Sequence, residues 1–134
     1  MILDKAASIL YFEDDKISQN MMTSRLKLKF GSKITIESTL KNLDIYIRTQ
    51  YINEFDLIIC DYCFTGEDIS PKLQYLAAID KRVVFNTCLD YDDWQRRVIE
   101  QLGDIPNNFV YTRKADYNGL LKIDYEVEKA SCDY

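Results

Sequence analysis

The chain has 134 residues, 47% of them apolar and 29% charged, with a formal net charge of −5. That length suits one domain, and that apolar content excludes a disordered chain. The acidic balance weighs against a domain that binds nucleic acid by neutralising phosphates, and the absence of histidine removes His-based triads, His general bases and His-containing zinc sites.

Only 4 glycines and 2 prolines are present, which excludes linkers, collagen and turn-rich small β proteins. No apolar run approaches the roughly 20 residues of a membrane span. The N-terminal apolar stretch from Ile9 to Phe12 ends in Glu13-Asp14-Asp15, unlike a signal peptide. The expected compartment is the cytoplasm. The cysteines at positions 60, 63, 88 and 132 are then expected as reduced thiols.

In chain order, residues 8–12 predict a short strand that ends in the acidic cluster. Asp15 caps a helix over 16–30. Its inner face is read as Ile17, Met21 and Leu28, with Met22 and Leu26 beside it and Gly31 as the stop. Ile34 and Ile36 alternate with polar neighbours, as in a half-exposed strand. Ser38 or Thr39 caps a second helix carrying Leu40, Leu43, Ile47 and Tyr51. Leu57-Ile58-Ile59-Cys60 reads as a strand buried on both faces, ending in Asp61. Ser70-Pro71 starts a third helix with Leu73, Leu76 and Ala77 inside. Val83-Val84-Phe85 is a second buried strand, ending in Asn86-Thr87. Asp90 or Asp92 caps a helix with Tyr91, Trp94, Val98 and Leu102 on one face, closed by Gly103 and Pro106. Phe109-Val110-Tyr111 leads to Thr112-Arg113-Lys114, and a last helix covers about 116–129.

Five βα repeats with short connections imply an α/β fold: one five-stranded parallel sheet with helices on both faces. In such sheets, sites form beyond the carboxyl ends of the strands. Those ends supply Glu13, Asp14, Asp15, Asp61, Thr87 and Lys114. Clustered carboxylates need a cation, and an incomplete cage of hard oxygens favours Mg2+. Beside such a cation, Asp61 is suited to attack phosphorus, with Lys114 and Thr87 facing the phosphoryl oxygens.

The segments Ile9-Leu10-Tyr11-Phe12-Glu13-Asp14-Asp15, Phe55-Asp56-Leu57-Ile58-Ile59-Cys60-Asp61, Val84-Phe85-Asn86-Thr87 and Val110-Tyr111-Thr112-Arg113-Lys114 fall in order on these strand ends. Together they resemble the receiver domain of bacterial two-component response regulators, of the stand-alone kind, over about residues 8–129. The resemblance implies the flavodoxin-like (βα)5 fold and a single domain over 1–134 with a short tail at 130–134. It implies Asp61 as phosphoacceptor, Glu13 and Asp14 as metal-binding acids, and Mg2+ held by these with Asp61 and the backbone carbonyl of Cys63. Thr87 takes the place of the switch hydroxyl, Lys114 of the conserved-type lysine and Tyr111 of the switch aromatic. The implied donor is a phosphohistidine on a histidine kinase or phosphotransfer protein. Output is implied through protein contact on the face of the fourth helix, fifth strand and fifth helix, with a homodimer among its partners and no direct contact with nucleic acid or membrane. Such a protein is no enzyme in the ordinary sense, although it assists its own phosphorylation.

Three positions depart from the family pattern. Thr65 and Ala115 stand where the family usually has proline, the latter in a cis peptide, and Cys88 where it usually has a smaller residue. A cis bond before a non-proline residue costs about 2.5–4 kcal/mol, so the loop after Lys114 is expected to be strained or reshaped. Cys63 and Leu89 position an attacking water poorly, so slow self-hydrolysis is expected. A phosphorylation-independent binding module is the alternative that the departures favour. The run Asp61-Tyr62-Cys63-Phe64-Thr65 also resembles a DxDxT phosphatase motif, but Cys63 stands at the general-acid position, where a thiol is a poor substitute. Cys60-x-x-Cys63 lacks the further ligands of a zinc site. Strand alternation turns Cys60 into the sheet packing, and the resembled fold places Cys63 and Cys88 near the phosphoryl site as the candidate redox pair.

Overall fold

A computed structural model describes residues 6–131. Five strands form one parallel sheet: β1 (Ser8–Phe12), β2 (Lys33–Glu37), β3 (Leu57–Cys60), β4 (Val83–Thr87) and β5 (Phe109–Arg113), in the order β2-β1-β3-β4-β5. The helices between and after them are α1 (Lys16–Phe30), α2 (Leu43–Arg48), α3 (Leu73–Ala78), α4 (Tyr91–Leu102) and α5 (Tyr117–Ser131). The α/β architecture expected from the alternating pattern is therefore present. Cys132 and the last tail residues lie outside the described residues.

Strand alternation divides the core in two. Leu10, Phe12, Ile58, Cys60, Val83 and Phe85 face α2, α3 and α4, where Leu43, Leu73, Leu76, Trp94 and Val98 cover them. Ile9, Tyr11, Leu57, Ile59, Val84 and Val110 face α1 and α5, covered by Met22, Leu26, Ile123 and Val127. The period of 2 in the strands and the two-sided helix cover are one fact seen twice.

Several local signals act as read. Asp15 caps α1, its carboxylate accepting from Ser18 N, and Gly31 ends it in the left-handed region at φ 66°. Asp90 caps α4 through Asp93 N. Three readings need correction. On α1, Ile17, Met21 and Leu28 are 70%, 69% and 88% exposed, while Gln19, Met22 and Leu26 are buried. The stripe is rotated because Gln19 satisfies its amide inside, donating to the Glu13 carbonyl and to Ser38 Oγ. The second helix is short. Thr39 Oγ1 accepts Lys41 N at 3.3 Å and the Glu67 carboxylate accepts Leu40 N at 3.0 and 3.3 Å, but the helix itself starts only at Leu43, after Asn42. The helix then breaks where Gln50 adopts φ 64°, which puts Tyr51 in a separate 3-10 turn over Tyr51–Glu54. Ser70-Pro71 likewise opens a 3-10 turn, Ser70–Lys72, that leads into α3. After Lys114 the described residues contain no cis peptide. Ala115 instead sits in the left-handed region at φ 61°, so the loop is reshaped at a residue that pays a steric penalty there.

Candidate functional site

The register brings the acidic groups together. Strand order turns between β1 and β3, and Phe12 lies opposite Cys60. The next residues, Glu13 and Asp61, therefore leave neighbouring strand ends, and Asp61 N donates to Phe12 O at 3.0 Å. Glu13, Asp14 and Asp61 each offer a carboxylate oxygen within 4.8 Å of the others. Thr87 lies opposite Arg113, which delivers Lys114 to the same edge. There its backbone N–H donates to Thr87 O at 2.8 Å.

Lys114 Nζ bridges the cluster, 2.7 Å from Glu13 Oε1 and 2.9 Å from Asp61 Oδ2. Asp61 Oδ1 accepts from Tyr62 N at 2.7 Å and from Cys63 N at 3.3 Å. Asp14, half-buried, accepts from Thr65 N at 2.8 Å. Glu13 is fully buried, and Asp15 N donates to its Oε2 at 3.2 Å. Burial, reinforced by the Asp61 charge, pushes the Glu13 carboxyl up to about 6 against the opposing Lys114 bond. Burial disfavours the Lys114 charge, but the bonds to Glu13 and Asp61 outweigh it and raise its basicity. Asp15 takes no part in the cluster. It is exposed, and its bonds with the Ser18 hydroxyl and amide hold its carboxyl below the usual range.

Three carboxylates against one ammonium leave excess negative charge in a water-poor site. The donors are hard oxygens, and two of the three acids are buried. This donor set fits a small hard cation such as Mg2+.

Thr87 is buried at the end of β4, and its Oγ1 accepts from Leu89 N at 3.2 Å. Tyr111 is half-buried and donates its hydroxyl to Leu89 O at 2.6 Å. Its ring packs on Tyr91 and Trp94, both at 5.3 Å between centroids. The backbone of Leu89 thus joins the two expected switch groups. Trp94 is a core residue, 1% exposed.

Among the described cysteines, Cys60, Cys63 and Cys88 are free thiols. Cys60 is buried in the core beneath the site, and its thiol donates to Asp61 O at 3.0 Å. Cys63 is exposed, and desolvation with the Asp61 charge pushes its thiol up, away from a reactive thiolate. The sequence reading passed over Gln19, which braces the Glu13 backbone. Its one signal was a polar residue on the stripe of Met22 and Leu26. It also passed over the Thr65 amide, which no side-chain pattern encodes.

No protein-family model matches the chain, and no curated protein does. Solved structures do. The BeF3-activated N-terminal receiver domain of RstA from Klebsiella pneumoniae superposes with a TM-score of 0.66 at 19% identity, covering 90% of this chain and 97% of that one. The signal receiver domain of the DNA-binding response regulator merR from Colwellia psychrerythraea gives 0.68 at 22% identity, over 92% and 98%. A response regulator receiver domain protein from Clostridium thermocellum gives 0.68 at 20% identity, over 92% and 93%. With its parallel sheet, its strand order and these superpositions, the chain has the fold of a response regulator receiver domain.

Proposed function

We propose that this chain, taken over 1–134 as a single receiver domain, accepts a phosphoryl group on Asp61 from a phosphohistidine of a histidine kinase or phosphotransfer protein. The observation that carries the reading is the convergence of Glu13, Asp14 and Asp61 within 4.8 Å, with Lys114 bonded to two of them. Mg2+ would be held by these three acids and the Cys63 carbonyl, and when bound supplies positive charge against the phosphoryl oxygens.

The chain's own groups do the rest. An Asp61 oxygen forms the new P–O bond while the P–N bond breaks, and the electron pair leaves with the imidazole nitrogen. The amides of Tyr62 and Cys63 fix Oδ1 and so orient the carboxylate. Lys114, already within 2.9 Å of Asp61 Oδ2, is positioned to pair with a phosphoryl oxygen. Thr87 would turn its hydroxyl from Leu89 N toward the phosphoryl group, and the bond of Tyr111 to Leu89 would report that movement. Output follows by protein contact on the α4–β5–α5 face, to a downstream partner or a second copy. The setting is cytoplasmic, and none of the described helices is long and apolar enough to cross a membrane. The protein acts as a signalling partner rather than an enzyme.

The test is intact mass after incubation with phosphoramidate or acetyl phosphate. One phosphoryl adduct is expected, dependent on Mg2+ and absent in Asp61→Asn. No adduct under any condition would favour the phosphorylation-independent binding module, toward which the exposed Cys88 beside Thr87 and the left-handed Ala115 beside Lys114 point.

A further inference from the structure

Three loops at the functional edge are tied to one another in a closed triangle. Gln19 links the loop after β1 to the loop after β2, donating to Glu13 O and to Ser38 Oγ. Glu67 links the loop after β3 to the loop after β2, its carboxylate receiving Leu40 N. Thr65 closes the triangle, its N–H donating to Asp14 Oδ2 at 2.8 Å. Asp14 is the one side chain that belongs both to this triangle and to the acidic cluster.

The loop after β3 is built to present that amide. Phe64 is anchored in the core, Phe64 and Glu67 form an antiparallel bridge, and Gly66 turns between them at φ 76°. Most L residues resist that φ. Thr65 therefore sits at a turn whose two flanks are both fixed. A proline at this position would have no N–H to give. Asp14 is only half-buried, so without a partner its carboxylate would be free to swing into solvent. One oxygen held by the amide fixes the rotamer at no cost in charge, and a cation needs only the other.

We propose that the Thr65 backbone N–H is a positioning donor for Asp14, so that cation binding at the cluster and ordering of residues 62–68 are one event. This rests on the reading of Glu13, Asp14 and Asp61 as a Mg2+ site. Coupling of this kind is reciprocal: if the amide holds Asp14 for the cation, the cation holds the amide. Glu67 then carries the ordering to Leu40, ahead of α2.

The experiment titrates Mg2+ calorimetrically into wild type, Thr65→Ala and Thr65→Pro, and follows amide exchange at Thr65 and Leu40 by NMR. Thr65→Ala keeps the N–H and should bind as wild type does. Thr65→Pro should bind about tenfold more weakly, the usual scale for loss of an outer-sphere partner. Saturating Mg2+ should slow exchange at both amides in wild type, and in Glu67→Ala, which removes the acceptor of Leu40 N, it should slow Thr65 more than Leu40. Equal Mg2+ affinity in the two Thr65 variants overturns the proposal. So does a Thr65 amide indifferent to Mg2+, a measurement on wild type that stands if the proline variant does not fold. Absence of Mg2+ binding to wild type would overturn the metal reading itself, whereas wild-type binding with unaffected variants would overturn the positioning role alone.

Discussion

Glu13 and Thr87 are, among the described residues, the polar residues with no solvent exposure, and both stand at strand ends in the functional edge. A carboxylate so placed costs stability unless something offsets it. Glu13 is pushed up to about 6 from an ordinary 4.5, chiefly by burial, so the folded state binds its proton more tightly than the unfolded chain does. The metal-free protein is therefore most stable, as far as this group decides, below pH 4.5. It loses that contribution as pH rises through 6. At pH 7 Glu13→Gln should be more stable than wild type by about 2 kcal/mol without Mg2+, with the difference vanishing near pH 4. Urea denaturation at the two pH values checks this, and a Glu13→Gln variant less stable at pH 7 would contradict it. At this scale the site was partly legible. Acidic letters at strand ends mark a cluster because the fold brings those ends together. The Thr65 amide, the Leu89 backbone that joins Thr87 to Tyr111, and the inward turn of Gln19 were not legible, since backbone donors carry no letter and a buried glutamine resembles a surface one.

At the scale of elements, α5 depends on a close approach that one residue permits. A Cβ on Gly119 would lie 2.8 Å from Arg113 O and 3.3 Å from Arg113 N, both backbone atoms of β5. Alanine is the better helix former by about 1 kcal/mol. Here the contact wins, because neither partner is a flexible side-chain end. Gly119→Ala should destabilise the fold by about 1–3 kcal/mol, the usual range for overpacking, read as a lower urea midpoint. An unchanged or higher midpoint would show that α5 can move away without loss. α5 is also held to α1 by Asp124, which receives Arg25 and Lys29 on one oxygen, each at 2.6 Å. The α1 reading failed through the same logic that found the strands. Apolar periodicity assumes that apolar residues face inward, yet Ile17, Met21 and Leu28 face outward. Met21 and Met22 help to line a groove of about 510 Å3 that reaches Lys114. α2 was overextended because Leu40, Leu43, Ile47 and Tyr51 have helical spacing, while the break is made by Gln50 in a left-handed conformation and by Glu67 from another loop.

At the scale of the whole molecule, the acidic cluster depends on topology. The sheet order turns between β1 and β3, so Glu13 and Asp14 meet Asp61 at the one place where neighbouring connections diverge. The unbroken apolar runs at Leu57–Cys60 and Val83–Phe85 announced a buried parallel sheet, because only strands covered on both faces can be apolar throughout. Site chemistry then follows from which strand ends are neighbours. On the proposed reading, Asp61 rather than Glu13 or Asp14 is the acceptor. Glu13 is fully enclosed and Asp14 has one oxygen tied to Thr65, whereas the two amides that orient Asp61 both bind its Oδ1 and leave Oδ2 beside the ammonium that Lys114 shares with Glu13. The direct measurement is to phosphorylate the full chain with phosphoramidate and Mg2+, reduce the acyl phosphate with borohydride, and sequence the peptides by tandem mass spectrometry. Residue 61 alone should be converted to homoserine. Conversion at residue 14, a glutamate-derived product at residue 13, or no conversion in protein shown to bind Mg2+ would contradict it.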